Sequence, residues 1–242
     1  MKGHLEHLFN DSKEFLAALK GCELDPQLEG SPMLLSPSSA TPFLKNLHIT
    51  LSKAYPETGM PYWRVRSWEL SCWQPIYLAL ICVYHIKLVP KELHALHQAQ
   101  QHDYVAGYAL PDGEWFSGEH NLLIQYAAQQ LLILFEALES THITLLGGKK
   151  SQYRAILADL LLSSMVNAGQ AFASIETIKA EYILWATALN LNTDLSKIKI
   201  EGTDSLIFYR RTCCLHYRRN DGEFCNNCPR IHKKHKVREH HV

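Results

Sequence analysis

Four cysteines, Cys213, Cys214, Cys225 and Cys228, fall within sixteen positions of one another, in the run F-Y-R-R-T-C-C-L-H-Y-R-R-N-D-G-E-F-C-N-N-C-P of residues 208–229. Nothing else in the sequence constrains folding so tightly. Thiols this dense in a chain with no recognisable secretory leader are expected to stay reduced and to converge on a soft metal rather than pair as disulfides. Cys225 and Cys228 make a C-x2-C knuckle, half of the usual four-cysteine zinc site, in which each of two knuckles turns two sulfurs toward one ion. Cys213 and Cys214 are adjacent, and neighbouring side chains on a strand point to opposite faces, so these two converge only where the backbone is irregular. A [2Fe-2S] cluster spreads four thiolates over two irons and suits ligand pairs of unequal geometry. The spacing favours iron-sulfur over zinc without excluding zinc, and it leaves His216 or His232 as a substitute for one cysteine. It is neither the plant-type nor the bacterial ferredoxin spacing.

The rest of the chain has room for a large core. With 242 residues, 47% hydrophobic and 20% charged, it reads as an ordinary globular protein of one large domain, with or without a small appendage. The formal net charge of zero hides an asymmetry. Residues 205–242 carry nine Lys and Arg against three Asp and Glu, which is +6, and the preceding 204 carry 15 against 21, which is −6. A basic end on an acidic body suits an anionic partner or an anionic metal group. No apolar run reaches the length of a membrane span, because His85 and Lys87 stop one candidate and Gln125, Gln129, Gln130 and Glu136 interrupt the other. Lys2, His4, Glu6, Asp11, Lys13 and Glu14 likewise break any signal-peptide core, so a cytoplasmic protein is expected, with at most peripheral membrane contact.

Apolar periodicity predicts a mainly α fold with a minor β component. Leu5, Leu8, Phe9, Phe15, Leu16 and Leu19 form an opening helical stripe, and Thr41-Pro42 looks like the cap and first position of a second helix bearing Phe43, Leu44, Leu47 and Leu51. Residues 76–88 continue as a buried helix, Pro90 restarts one carrying His94 and His97, and residues 119–140, 151–168 and 174–189 supply three more. Residues 104–116 predict a β-hairpin around Pro111, Asp112 and Gly113, and 206–209 a strand leading into the first cysteines. Cys22, Cys72 and Cys82 lack neighbouring ligands and read as ordinary thiols. Trp63, Trp68 and Trp73, five residues apart, cannot share one helix face. They suit core packing first, and a ligand site second. No phosphate loop or dinucleotide fingerprint is present.

The C-C-x10-C-x2-C spacing, with Arg210 and Arg211 before it, Tyr217 inside it and Pro229 behind it, resembles the FhuF-like ferric-siderophore reductases. The resemblance covers about the last thirty-five residues and is looser around residues 63–75. It implies a cytoplasmic protein whose [2Fe-2S] cluster, held by Cys213, Cys214, Cys225 and Cys228, gives one electron to ferric iron in a siderophore, often of the hydroxamate type. Hard oxygen chelators prefer ferric iron, so reduction loosens their grip. Each factor of ten in that preference lowers the potential of the complex by about 59 mV, which calls for a low-potential donor. On this reading residues 1–204 are a mainly helical substrate-binding body and residues 205–242 a four-cysteine segment with a basic, His-rich tail. Trp63, Trp68, Trp73, Arg210 and Arg211 are the candidate substrate contacts, and a separate ferredoxin-like or flavin-bearing protein recharges the cluster. Nucleic acid is not an expected partner. The alternative is a non-enzymatic, zinc-stabilised basic binding module.

Overall fold

The computed structural model describes residues 2–25, 34–36, 38–168, 174–195, 198–201 and 205–231. His232 and the lysines of the tail lie outside the described residues, as does most of the polar 25–39 loop. The predicted class holds: helices form the body and a small sheet covers part of it.

One helix organises the body. Helix α3 (Met60–Ile81) follows α1 (Lys2–Phe15) and α2 (Ala40–Ala54), and its whole length from Ser67 to Ile76 is buried. It packs against α2, α4 (His120–Leu146) and α5 (Lys150–Asn167), and α6 (Ile175–Ala188) closes over α4 and α5. So enclosed a helix needs apolar residues on every side, and the sequence from Trp68 to Ile81 supplies them with few exceptions. Trp68 is the hub. Its ring meets those of His142 at 5.0 Å, Tyr153 at 5.1 Å and Phe135 at 6.4 Å, and its indole N–H donates to the Tyr153 carbonyl at 3.0 Å. The helix ends in a π-turn, Cys82–Ile86, closed by Lys87 in the left-handed conformation.

Strands β1 (Gly21–Glu23), β2 (Leu34–Leu35), β4 (His97–Gln101) and β5 (Tyr104–Leu110) form a sheet in the order β1-β5-β4-β2, with only the β1–β5 pair parallel. Gly21 lets β1 in: a Cβ there would stand 2.3 Å from Phe9 and 2.5 Å from Tyr108. Strands β3 (Val89–Pro90) and β6 (Trp115–Phe116) pair separately, as do β7 (Ile198–Glu201) and β8 (Ser205–Phe208). Among the described residues no helix is long and apolar enough to cross a membrane.

Several elements correct the sequence reading. Pro90 starts no helix: it pairs with Trp115 at the edge of β3, a position that asks for no N–H from proline. His94 sits in a single 3-10 turn and His97 begins β4, so the two histidines share no helix face. His94 instead bonds Gln130 at 2.6 Å, and His97 the Ala95 carbonyl at 2.8 Å. The two strands of residues 104–116 exist but do not pair with each other. β5 pairs with β4 through a turn at His102 and Asp103, because the strand H-Q-A-Q-Q hides its β character behind glutamines. Gln98 is nonetheless fully buried, donating to the Ser71 carbonyl at 2.8 Å and accepting from Gln74 at 3.1 Å. Helix α2 begins at Ala40 with Ser39 as its cap residue, two residues ahead of Thr41, and α4 runs on through the I-T-L-L stretch to Leu146. Helices α5 and α6 lie where predicted, α6 capped by Ser174, whose hydroxyl accepts from the Thr177 N–H at 3.1 Å.

Candidate metal centre

The chain leaves β8 at Phe208 and enters the cysteine segment through Arg210, Arg211 and Thr212. Two carboxylates of the body receive it. Asp159, on α5 and 3% exposed, accepts from the Arg211 N–H at 3.0 Å, the Thr212 N–H at 2.7 Å and the Thr212 hydroxyl at 2.6 Å. Glu69, on α3, accepts from Arg210 Nη2 at 2.5 Å, and Arg210 Nε stands 3.9 Å from Asp159. A carboxylate that accepts two backbone N–H groups and a hydroxyl fixes the direction of the strand it holds. Here that direction delivers Cys213 and Cys214. The Arg211 guanidinium turns away from the thiols to the Asn192 and Asp194 carbonyls.

The irregular backbone that adjacent cysteines require is present. Cys213 and Cys214 lie in no regular element, and Leu215 immediately after them is left-handed (φ 60°). A 3-10 turn, His216–Arg218, then starts the loop between the two cysteine pairs. Gly222 closes it, donating to the Arg219 carbonyl at 3.0 Å. A Cβ at Gly222 would lie 2.0 Å from the His216 carbonyl oxygen, so no other residue fits this closure.

This loop grips the corner between α2 and α3. Arg218 donates to the Thr58 carbonyl at 2.8 Å, the Asn220 N–H donates to Glu57 at 3.0 Å, and the Arg219 guanidinium lies 4.0 Å over the Tyr55 ring while pairing with Asp221. Past the loop, the Cys228 N–H donates to the Cys225 carbonyl at 2.9 Å, which is the tight turn expected of a C-x2-C knuckle. The Arg210 N–H donates to the Asn227 carbonyl at 3.1 Å and ties the two cysteine-bearing arms together.

One thiol from each pair therefore meets the other. Cys214 Sγ and Cys225 Sγ are 3.8 Å apart. Two sulfurs about 2.3 Å from one tetrahedral ion would sit roughly 3.8 Å from each other, so this pair is spaced as co-ligands. Burial pushes the Cys213 thiol up, with Cys228 and Cys214 adding to it, and burial together with Cys214 pushes Cys225 up to about 12. Crowded thiols that repel one another's charge are expected where a cation group is to take up that charge. Among the described residues no three His, Cys, Asp or Glu side chains converge on a single ion. Cys228 is buried, and the other three cysteines are half-buried.

Residues 210–230 match the family described as the FhuF 2Fe-2S C-terminal domain. The match covers the whole cysteine segment and not the helical body. The segment's cofactor is a [2Fe-2S] cluster, and the donor set fits it: four thiols, one pair at co-ligand distance, on a segment pinned at both ends. No solved structure matches the chain significantly.

The remaining candidates are dispersed around α3. Trp68 is fully buried in the core, and Trp73 is 8% exposed with its N–H on the Val105 carbonyl at 2.8 Å. Trp63 is partly buried, and its N–H donates to the Tyr55 carbonyl at 3.0 Å, which braces the corner that the FhuF-type loop grips. The three indoles donate to three different carbonyls, of Tyr55, Tyr153 and Val105. Arg210 and Arg211 serve the segment's own attachment. The residues that sequence reasoning missed are Glu69, Asp159 and the Tyr55–Thr58 corner. The signal for the two acids was available: each is a carboxylate set in an otherwise apolar helical stretch, and such a residue is buried only with a partner.

Proposed function

We propose that the protein is a cytoplasmic ferric-siderophore reductase. The observation that carries this reading is the FhuF-type segment itself, on which Cys214 and Cys225 stand at co-ligand distance. When bound, the cluster supplies one electron at a time and needs no acid, base or nucleophile from the protein. The chain's own residues hold and orient the thiols: Asp159 and Glu69 fix the first pair, the Tyr55–Thr58 corner fixes the intervening loop, and Gly222 sets its closure. Residues 1–204 act as the body that receives the chelate, and residues 205–242 as the electron-transfer segment. A separate ferredoxin-like or flavin-bearing protein supplies the electrons, since the sequence has no nucleotide or flavin fingerprint.

The test is anaerobic purification with iron and acid-labile sulfide analysis, followed by mixing the reduced protein with a panel of ferric siderophores. Reoxidation of the protein in step with ferrous iron release supports the reading. A reduced, fully loaded protein that no ferric siderophore reoxidises overturns it, as does rapid turnover with NADPH alone.

A further inference from the structure

The charges around Arg210 are unequal. Its guanidinium is one cation, and its side chain is 13% exposed. Two carboxylates face it: Glu69, with a side chain 9% exposed, and Asp159, 3% exposed. The second cation near Glu69 is Arg66, 4.0 Å away, and its side chain is 31% exposed, so solvent screens it more. Burying carboxylates beside an anionic, four-thiolate group is costly unless something offsets it. Asp159 recovers that cost through the backbone bonds it accepts. Among the described residues Glu69 accepts a hydrogen bond from Arg210 alone and touches no backbone of the segment. Holding the backbone is therefore the part of Asp159, and Glu69 acts on the segment only through the Arg210 side chain.

Arg210 stands three residues before Cys213, and its N–H donates at 3.1 Å to the carbonyl of Asn227, between Cys225 and Cys228, so its charge lies beside both cysteine-bearing arms, including Cys214 and Cys225, the two sulfurs at co-ligand distance. A positive charge at that place favours the reduced cluster, which carries one more negative charge, and so raises its potential. A carboxylate clamped on the cation does the reverse. We propose that Glu69, helped by Asp159, is a positioning residue that holds Arg210 as a largely neutralised counter-charge and so keeps the cluster a stronger reductant than an unpaired arginine there would allow. The inference rests on the [2Fe-2S] centre and is independent of which chelate is reduced.

The experiment is a dye-mediated redox titration of the full-length holoprotein, followed by visible absorption and electron paramagnetic resonance at fixed pH and ionic strength. Wild type is compared with Glu69→Gln, Arg66→Gln and, as a remote charge control, Lys91→Gln. Glu69→Gln should favour reduction at least tenfold, an upward shift of about 59 mV for one electron. Arg66→Gln strips Glu69 of its other cation and should shift the potential downward, while the Lys91 variant matches wild type. A purely structural Glu69 would lower cluster content and leave the potential of the loaded fraction unmoved, which overturns the proposal. If Glu69→Gln holds no cluster, Arg66→Gln decides, and an unshifted or raised potential there overturns it.

Discussion

Replacing Gly222 with Ala tests whether the loop between the cysteine pairs is held as tightly as its contacts indicate. The added Cβ would lie 2.0 Å from the His216 carbonyl oxygen and 3.0 Å from the Arg219 Cβ. Non-bonded heavy atoms settle at about 3.5 Å, so the two sides of the loop must part by more than about 1 Å. The loop has no slack to give. Moving the His216 side strains the Arg218 bond to the Thr58 carbonyl, and moving the other side strains the Asn220 bond to Glu57. The first is a charged, part-buried bond whose loss costs about 1.5–3 kcal/mol, and the second, at the surface, about 1 kcal/mol or less. A total of about 2–4 kcal/mol corresponds to roughly 30- to 700-fold in cluster retention. The alternative is that the loop keeps its anchors and shifts the sulfurs instead, and metal-ligand distances tolerate only about 0.2 Å. The assay is the half-life of visible absorbance in the presence of a ferrous chelator, with far-UV circular dichroism to show that the helical body is intact. Wild-type loading and an unchanged half-life in Gly222→Ala would refute this account of the loop.

Changing Cys213, Cys214, Cys225 or Cys228 singly to Ser should abolish or strongly destabilise the cluster, measured as iron and sulfide per chain. Cys22→Ser, Cys72→Ser and Cys82→Ser should leave that ratio at wild type, since Cys72 and Cys82 are core thiols pushed up by burial and Cys22 lies in β1, paired with Ala109 of β5. His142, wholly buried against Trp68, is lowered by that burial from 6.5 to about 4. Below pH 6.5 the unfolded chain therefore takes up a proton that the folded chain refuses, and stability falls between those two values by about 3 kcal/mol. Urea titrations of the cluster-free protein from pH 7.5 to 4 should show this loss, and His142→Leu should lack it. Changing Lys233, Lys234 and Lys236 to Gln should slow cluster reduction by the donor protein and flatten its dependence on ionic strength, read by stopped-flow absorbance. Salt-independent rates unaffected by the triple change would remove these lysines from donor encounter.

What was legible in the sequence was what is local. Apolar stripes at 3.6-residue spacing placed α5 and α6 within a residue or two, and counting thiols picked out the metal segment before any fold was known. The adjacency of Cys213 and Cys214 even demanded the irregular backbone that Leu215 supplies. What was not legible was pairing at a distance. β4 was hidden because its burial depends on Ser71 and Gln74, across the sheet in α3, and nothing in H-Q-A-Q-Q announces that. For Glu69 and Asp159 the apolar setting signals that each needs a partner, and which partner was hidden for the same reason. Their partners lie 141 and 53 residues further on, and only folding brings them together.

Those separations bear on how the protein is made. Among the described residues every group that grips the cysteine segment, from Tyr55 to Asp194, precedes it in the chain, and a ribosome releases the earlier residues first. The receiving surface can thus be assembled while the thiols are still being synthesised, and the four sulfurs meet a finished cradle when they emerge. A peptide of residues 205–242 alone would have to close the same loop without Asp159, Glu69 or the Tyr55–Thr58 corner. Cluster insertion into this protein is accordingly a late step that reports on the folding of everything before it, and damage to the body far from any cysteine should surface first as loss of colour.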